Sequence, residues 1–349
     1  MKIHEKYMSR CIQLGKNGLG STYPNPLVGS VIVHNGEIIG EGWHYKAGQP
    51  HAEVNAIRSV ENQELLKEAT IYVSLEPCSH FGKTPPCVDL IIESGIKKVI
   101  VGSLDPNPKV AGRGIKKLME TGCELIVGVL ENDCDELNKR FFTFHQKKRP
   151  YIFLKWAETA DGFISPKSET RKETKPVWIT NEFSRQLVHK MRGEEQSILV
   201  GTNTVLQDNP SLTVRNWTGE NPVRIVVDRN LKIPKDLSVF DASSKTIVIN
   251  EKETKTSENV DFEKILFSEE IPKQICEVLF QRNIQSVIIE GGAKTLQSFI
   301  DANLWDEALV FSGNKTFGEG IKAPTFQGVL KSEEKIKEDT LRTYKNTNH

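Results

Sequence analysis

The chain has 349 residues, 38% hydrophobic and 26% charged, which is ordinary for a folded protein and enough for two domains of about 150 residues each. Acidic and basic residues cancel at 46 each, which argues against a broad electrostatic surface for nucleic acid or membrane; a small anionic ligand needs only a few well-placed cations. Six cysteines are too few for a disulfide scaffold at this length, the N-terminal MKIHEKYMSRCIQLGKNG lacks the continuous apolar run of a secretory leader, and no stretch approaches the roughly 18 apolar residues of a membrane span. A reducing, cytoplasmic setting is therefore expected, where paired cysteines bind metal or catalyse more often than they cross-link.

Ile3 to Leu14 is amphipathic. LVGSVIVHNGEIIGEGW reads as two strands around an Asn35-Gly36 turn, a strong hairpin signal. His51 to Val60 reads as a helix, ATIYVSLEPC as a buried strand, and CVDLIIESG as a helix stopped by Gly95. KKVIVGSL is a strand, GRGIKKLMETG a helix closed by Gly122, and CELIVGV a short strand. Glu131 to Gln146 reads as one helix, followed by cations that suit a helix C-terminus. That order predicts a mixed sheet with helices on both faces.

QKKRP, residues 146–150, is the candidate linker, separating a domain over residues 1–147 from a second over 148–349. YIFLKWAETADG opens the second series, with VWIT, SILVG, VRIVVD, KTIVIN, SVIIEGG and EALVFSG as further strands. Helices Glu182–Glu194, Pro272–Arg282 and Ala293–Ala302 fall between them, which predicts another α/β domain. Residues 250–264 are polar and read as an exposed loop, and the charged tail over residues 330–349 as a segment prone to fray. The chain has no internal repeat.

The chemistry concentrates first in EPCSHFGKTPPC, residues 76–87, where two cysteines stand nine positions apart. A disulfide, a closed zinc site and an open catalytic metal site are the three readings. Composition demotes the disulfide. A closed site needs a fourth ligand, for which His80 and His44 are candidates. His51 opens a helix, Cys78 ends a strand and Cys87 opens the next helix; one imidazole and two thiolates suit zinc and leave its fourth tetrahedral position for water. Thiolates at helix N-termini also gain from the dipole. Glu53, two residues after His51, can reach a bound water whose pKa zinc lowers towards about 7, the division of labour in zinc nucleobase deaminases. The common deaminase pattern spaces its cysteines three apart, so the general motif is met only in part.

The longer spacing, together with PNPLVGSVIV and GWH before it and DPNPKVAGRG after it, resembles the deaminase half of the bifunctional deaminase/reductase family of riboflavin biosynthesis. The resemblance spans nearly all of residues 1–147. It implies a cytidine-deaminase-like α/β/α sandwich with one zinc ion on His51, Cys78 and Cys87, and Glu53 as general acid/base. It also implies that Asn25, His44, His80 and Lys83 contact the base or phosphoribosyl group of a pyrimidine. Each of these four has a structural alternative: a turn held by Asn25 in Pro-Asn-Pro, a strand end capped by His44, and solvated loop residues at His80 and Lys83.

VIIEGGAKTL, residues 287–296, reads strand, Gly-Gly, helix. A helix N-terminus behind glycines accepts phosphate, but Gly-Gly at a strand end is common, and G-x-G-x-x-G is absent, which argues against a standard Rossmann domain. The wider set LKWAETADG, WIT, MRGEEQSILVGTNTVLQDNPSLTVR and RIVVD resembles the reductase half of the same family, whose fold is like dihydrofolate reductase. That resemblance implies NADPH, with its pyrophosphate over Gly292, Ala293, Lys294, Thr295, Leu296, Gln297 and Ser298. Thr204 and Asp208 would line the cofactor site, with Glu158 and Trp178 nearby. It also implies that Arg192 and Arg215 clamp a substrate phosphate, that Leu212 and Glu290 face the substrate, and that Lys155 sits near the reacting sugar. Structural alternatives are a turn or cap at Asp208, a helix end at Arg192 and core packing of Trp178.

Two departures stand out. Pro176 and Val177 occupy the segment before WIT, where the family often has Ser or Thr able to touch substrate. Arg229 follows RIVVD, where a small polar residue is common; there it is expected to meet the adenosine-ribose phosphate and favour NADPH over NADH. The expected partner is a small phosphoribosylated pyrimidine, with no nucleic acid and no membrane, and the expected assembly is a homo-oligomer, dimer or tetramer. Two other readings are a deaminase joined to a non-catalytic or differently specific reductase, and a zinc-stabilised nucleic-acid-binding protein.

Overall fold

The computed structural model describes residues 2–81, 85–106, 111–167, 169 and 174–347. Two compact units, Met1–Lys148 and Arg149–His349, divide the chain.

In the first unit, α1 (Lys2–Lys16) precedes a hairpin of β1 (Gly29–His34) and β2 (Glu37–Trp43). Its turn residues Asn35 and Gly36 both take positive φ, 50° and 83°, matching the twist of a two-residue hairpin. There follow α2 (Ala52–Arg58), β3 (Thr70–Leu75), α3 (Cys87–Glu93), β4 (Lys98–Ser103), α4 (Arg113–Glu120) and β5 (Glu124–Val127). The sheet order is β2-β1-β3-β4-β5, antiparallel across β2, β1 and β3 and parallel from β3 to β5. Covered strands lose the polar alternation of half-exposed ones, and β1, β3 and β4 are buried along nearly their whole length. One face packs Ile32, Ile71 and Val99 under Ala56, Val88 and Leu118 from α2, α3 and α4. The other packs Val31, Tyr72 and Ile100 under Met8 and Cys11 from α1 and Leu137.

The single helix expected over Glu131 to Gln146 is two, α5 (Glu131–Leu137) and α6 (Lys139–Lys147). The break falls at Asn138, whose buried amide donates to the Leu27 carbonyl at 2.9 Å and accepts from the Leu27 N–H at 2.8 Å. Helical periodicity does not reveal a polar residue diverted to a loop 111 positions away.

The second unit carries β6 (Tyr151–Glu158), β7 (Phe163–Ser165), α7 (Glu182–Glu194), β8 (Ser197–Gly201), α8 (Thr202–Asp208), β9 (Val223–Val227), β10 (Thr246–Asn250) and β11 (Val260–Lys264). It continues with α9 (Ile271–Gln281), β12 (Ser286–Ile289), α10 (Ala293–Asp301), β13 (Glu307–Ser312), β14 (Ile321–Lys322), β15 (Val329–Ile336) and β16 (Asp339–Lys345). Nine strands form the order β11-β10-β9-β8-β12-β6-β13-β16-β15, parallel from β11 to β13 and antiparallel beyond. Period-two alternation sends Ile152, Leu154 and Trp156 of β6 to the core under α9 and α10, and Tyr151 and Phe153 to the core under α7 and α8.

Three expectations are corrected here. VWIT forms no strand; Trp178 is half exposed, which excludes its core reading, while Ile179 packs so closely on Gly313 that a Cβ there would lie 2.5 Å from the Ile179 carbonyl. The polar stretch over 250–264 contains β11, an edge strand held by backbone pairing to β10. The charged tail is not frayed: β15 and β16 pair with each other, and β16 with β13. Asp339, 1% exposed, accepts from Asn181 N–H at 2.8 Å and Ser184 Oγ at 2.6 Å, tying the tail to the start of α7.

Candidate functional site

In the first unit, α2 lies so close to β2 that a Cβ on Gly42 would meet the Ala56 nitrogen at 2.4 Å, and Asn55 donates to the Trp43 carbonyl at 2.8 Å. This contact holds the N-terminus of α2, with His51 as N-cap and Glu53 in the first turn, over the C-terminal ends of the strands. Cys78 follows β3, and Cys87 opens α3. His51 Nδ1 lies 3.6 Å from Cys78 Sγ and 3.3 Å from Cys87 Sγ. Nitrogen and sulfur ligands of a tetrahedral zinc ion stand about 3.6 Å apart, so the donor set fits that metal in chemistry and in spacing. The cysteines are free thiols, and the Cys87 N–H donates to Cys78 Sγ at 3.3 Å. Hydrogen bonding from Cys87 lowers the Cys78 thiol pKa, and the Cys78 contact raises that of Cys87. Its hydrogen bond to Cys78 raises the His51 pKa against burial.

Glu53 is 3% exposed, and burial, opposed by neighbouring His51, pushes its carboxyl up to about 7. A carboxyl in that range can both take and return a proton.

The closed-site reading fails on His44. Its Nδ1 faces the Pro50 carbonyl at 3.1 Å and therefore carries the proton; its Nε2 then accepts from Asn25 Nδ2 at 3.0 Å. Both ring nitrogens are occupied, and the ring stacks edge-on to His51 at 5.2 Å. Among the described residues the metal-competent group is His51, Cys78 and Cys87. His44 thus orients Asn25 and fixes which amide edge that residue presents. His80 is exposed, and Lys83 lies outside the described residues.

In the second unit, the C-terminal ends of parallel strands form the crevice where open α/β sheets bind ligands. Glu290 ends β12. Its Oε2 accepts from Arg192 on α7 at 2.7 Å, and Lys155 on β6 stands 3.7 Å from its Oε1. All three side chains are nearly buried. Burial opposes ionisation of Glu290, but Arg192 and Lys155 hold its carboxyl at about 2. For Lys155 burial outweighs the pairing and lowers the ammonium pKa. The shorter distance makes Arg192 the principal partner. Arg215 lies close enough for burial and the Arg192 charge to lower its own pKa. Arg192 and Lys155 face one carboxylate, with Arg215 close to Arg192, an excess of positive charge suited to a phosphate. Arg192 Nε is buried without a partner among the described residues, as a donor awaiting a ligand would be.

Nearby, the N-termini of α8 and α10 converge. Thr204 Oγ1 accepts from the Gly292 N–H at 3.0 Å, and a Cβ on Gly201 would meet Thr295 Oγ1 at 2.7 Å. The Gly292 N–H is thus held by Thr204 and the Thr295 N–H by the Gly292 carbonyl, while Gly292 and Lys294 stay exposed at this turn. Leu296 is fully buried in the core; Gln297 bonds Asp301 and the Thr325 carbonyl, and Ser298 donates to the Thr295 carbonyl. Ala293 and Lys294 remain in the open first turn. Leu212, expected to face substrate, is 2% exposed with its side chain in the core and takes φ 55°.

Asp208 ends α8 and is half-buried, as is Pro176 in the segment before Trp178. Glu158 accepts from Trp156 Nε1 at 2.9 Å and Ser312 Oγ at 3.2 Å, and lines an open cleft of about 300 Å³ with Ser312, Gly313 and Arg342. Arg229 is committed to Glu251 through two bonds of 2.9 and 3.1 Å, a partner the sequence did not suggest.

A family model described as the cytidine and deoxycytidylate deaminase zinc-binding region matches residues 1–103, and one described as the RibD C-terminal domain matches residues 150–349. Riboflavin biosynthesis protein RibD of Aquifex aeolicus is 42% identical over 341 residues, 96% of this chain and 94% of that protein. The chain belongs to the RibD family. RibD of Escherichia coli is 34% identical over 91% of this chain and 89% of its own. Among solved structures, the diaminohydroxyphosphoribosylaminopyrimidine deaminase/5-amino-6-(5-phosphoribosylamino)uracil reductase of Thermotoga maritima superposes with a TM-score of 0.88 at 39% identity, and RibD of Acinetobacter baumannii with 0.89 at 31%, each covering 99% of both chains. The RibD-family fold is thus two-domain α/β, with a cytidine-deaminase-like domain followed by a reductase domain.

Sequence reading missed two residues of this RibD-family chain. Asn138 holds Leu27 and so the Pro-Asn-Pro segment that carries Asn25. His189, buried one helical turn before Arg192, sets its Nδ1 against the Thr213 carbonyl at 3.0 Å and the Arg215 N–H at 3.3 Å. Burial first, then the two arginines, lowers the His189 pKa and keeps the ring neutral. The i,i+3 spacing of His189 and Arg192 on one helix face was the available signal.

Proposed function

We propose that the chain is a bifunctional enzyme of riboflavin biosynthesis. Its first unit hydrolytically deaminates a diaminohydroxyphosphoribosylaminopyrimidine, and its second reduces the ribosyl group of the product to a ribityl chain. The observation that carries this reading is the buried Glu53 beside an open three-donor group, in a chain whose family membership covers both halves.

His51, Cys78 and Cys87 would hold one zinc ion. When bound, zinc supplies the Lewis acid that makes water nucleophilic near neutral pH. Glu53 takes the proton of the attacking water and returns protons to the ring nitrogen and to the departing ammonia. Asn25, held by His44, presents its remaining amide edge to the pyrimidine. His80 and Lys83 are proposed phosphoribosyl contacts.

In the second unit NADPH, when bound, would supply a hydride for the anomeric carbon of the ring-opened sugar imine. The Gly292 to Thr295 turn receives the pyrophosphate, with Thr204, Asp208, Glu158 and Trp178 around the cofactor. Arg192 and Arg215 grip the substrate phosphate, so that binding energy remote from the reacting carbon positions the sugar. Glu290 orients Arg192 and, with Lys155, faces the sugar. Arg229 exchanges Glu251 for the adenosine-ribose phosphate. The enzyme acts in the cytoplasm as a homo-oligomer; no helix among the described residues is long and apolar enough to cross a membrane.

Mass spectrometry of products from the phosphoribosylaminopyrimidine substrate tests the whole reading. Deamination alone is expected without NADPH, and a gain of two further hydrogens with it. An unchanged substrate mass in both reactions would overturn the proposal.

A further inference from the structure

Of the two buried carboxylates among the described residues of the first unit, Glu53 and Glu76, the chemistry above uses only Glu53. Glu76 follows β3, two residues before Cys78, and is 4% exposed. Its own N–H donates to the Ser103 carbonyl at 2.9 Å, extending the β3–β4 ladder by one residue. Its hydrogen-bond partners among the described residues are backbone amides. Oε2 accepts from Gly112 at 2.9 Å and Asp105 at 3.3 Å; Oε1 accepts from Gly114 at 2.9 Å and Ile115 at 3.4 Å. Four donors fill both oxygens, so this carboxylate is neither a ligand nor a base. Three of the four amides belong to the start of α4, where unpaired N–H groups and the dipole favour a negative charge.

The same helix start presses on the peptide that carries Cys78. A Cβ on Gly114 would lie 2.3 Å from the Pro77 carbonyl oxygen and 3.2 Å from Glu76 Oε1. On its other side Cys78 is held by α3, through Cys87 N–H to its sulfur at 3.3 Å and Val88 N–H to its carbonyl at 3.2 Å. The Cys78 peptide thus lies between two helix N-termini, hydrogen-bonded to α3 and packed against Gly114 of α4, which Glu76 also holds.

We infer that Glu76 is a positioning residue for the metal thiolate Cys78, fixing the direction of its sulfur by locking α4 against the Pro77–Cys78 peptide. The inference rests on the reading of His51, Cys78 and Cys87 as a metal site. Outer partners that orient metal ligands are worth about 10- to 100-fold in metal affinity. In Glu76→Gln one oxygen becomes an NH₂ facing two N–H donors, so the start of α4 separates from the Pro77 peptide.

The test loads the full chain with Co²⁺ in place of Zn²⁺. It reads the thiolate-to-cobalt charge-transfer band and, by chelator competition, the Zn²⁺ affinity of wild type, Glu76→Gln and Glu76→Asp. The expected result is a shifted or weakened band and a 10- to 100-fold loss of affinity in Glu76→Gln, with a smaller change in Glu76→Asp, which keeps the charge but draws it back by one methylene. If either folded variant has the wild-type band and affinity and only melts earlier, Glu76 merely stabilises α4 and the inference is wrong. Should Glu76→Gln not fold, Glu76→Asp decides by the same two readings. A wild-type chain without any thiolate-to-cobalt band would instead overturn the metal-site reading beneath it.

Discussion

Replacing Glu290 by Gln removes the negative charge that pairs with Lys155 and Arg192. The carboxyl is held at about 2 against an ordinary 4.5, despite burial, by Arg192 at 2.7 Å and Lys155 at 3.7 Å. At about 1.4 kcal/mol per pH unit, that gap is worth about 3 kcal/mol of folding stability at pH 7. Folding lowers this pKa, so the stabilisation is complete above 4.5 and is lost as the pH falls toward 2. By pH 3 less than half of it remains. Glu290→Gln is therefore expected to be less stable than wild type by about 3 kcal/mol at pH 7, with the difference more than halved at pH 3. Urea unfolding of the full chain followed by tryptophan fluorescence reads this, since four of the five tryptophans (Trp156, Trp178, Trp217 and Trp305) lie in the second unit. A variant within about 0.5 kcal/mol of wild type at pH 7, or a deficit that stays constant down to pH 3, would refute the account of Glu290 as an ion held between two cations. Reduction should fail in this variant while ammonia release continues.

Glu53→Gln, or chelation of the metal, should lower ammonia release by at least about 100-fold while reduction of supplied deaminated substrate persists; loss of both activities together would argue against independent sites. Leu296→Ala should cost about 2–5 kcal/mol in denaturant titration and leave the NADPH KM of the folded enzyme unchanged, because that side chain lies in the core and not in the cofactor turn. Arg229→Ala should reduce the preference for NADPH over NADH in steady-state kinetics; an unchanged ratio would assign Arg229 to its Glu251 ion pair alone. Asn138→Ala should cost about 1–3 kcal/mol by leaving the buried Leu27 N–H and carbonyl unpaired, and should raise the KM of deamination through Asn25.

Local signals sufficed wherever the physics is local. Asn35-Gly36 admits a tight hairpin because both residues accept positive φ, and Gly95 ends α3 at φ 80°. Apolar runs marked β1, β3, β4 and β12 because strands covered on both faces need little polar alternation. Those signals fail at sheet edges. In β15 the side chains on both faces are largely exposed and β11 is buried only in part, so neither carries a hydrophobic stripe; backbone pairing, which the sequence does not display, makes them strands. The break at Asn138 escaped for the same reason, since its cause is a partner 111 residues away.

The donor types and order of His51, Glu53, Cys78 and Cys87 are properties of the sequence alone, and so is the pattern of motifs that carries the family. Tertiary structure decided which of the remaining polar residues act together. It turned His44 from a candidate fourth ligand into the orienter of Asn25, placed the Leu296 and Leu212 side chains in the core, and joined Lys155, Arg192 and Glu290 from three elements. It also closed Glu76 on the amides of Asp105, Gly112, Gly114 and Ile115. The physical reason is range: propensity and periodicity act over a few residues, whereas a carboxylate's partner and a histidine's tautomer depend on what folding brings within 3 Å.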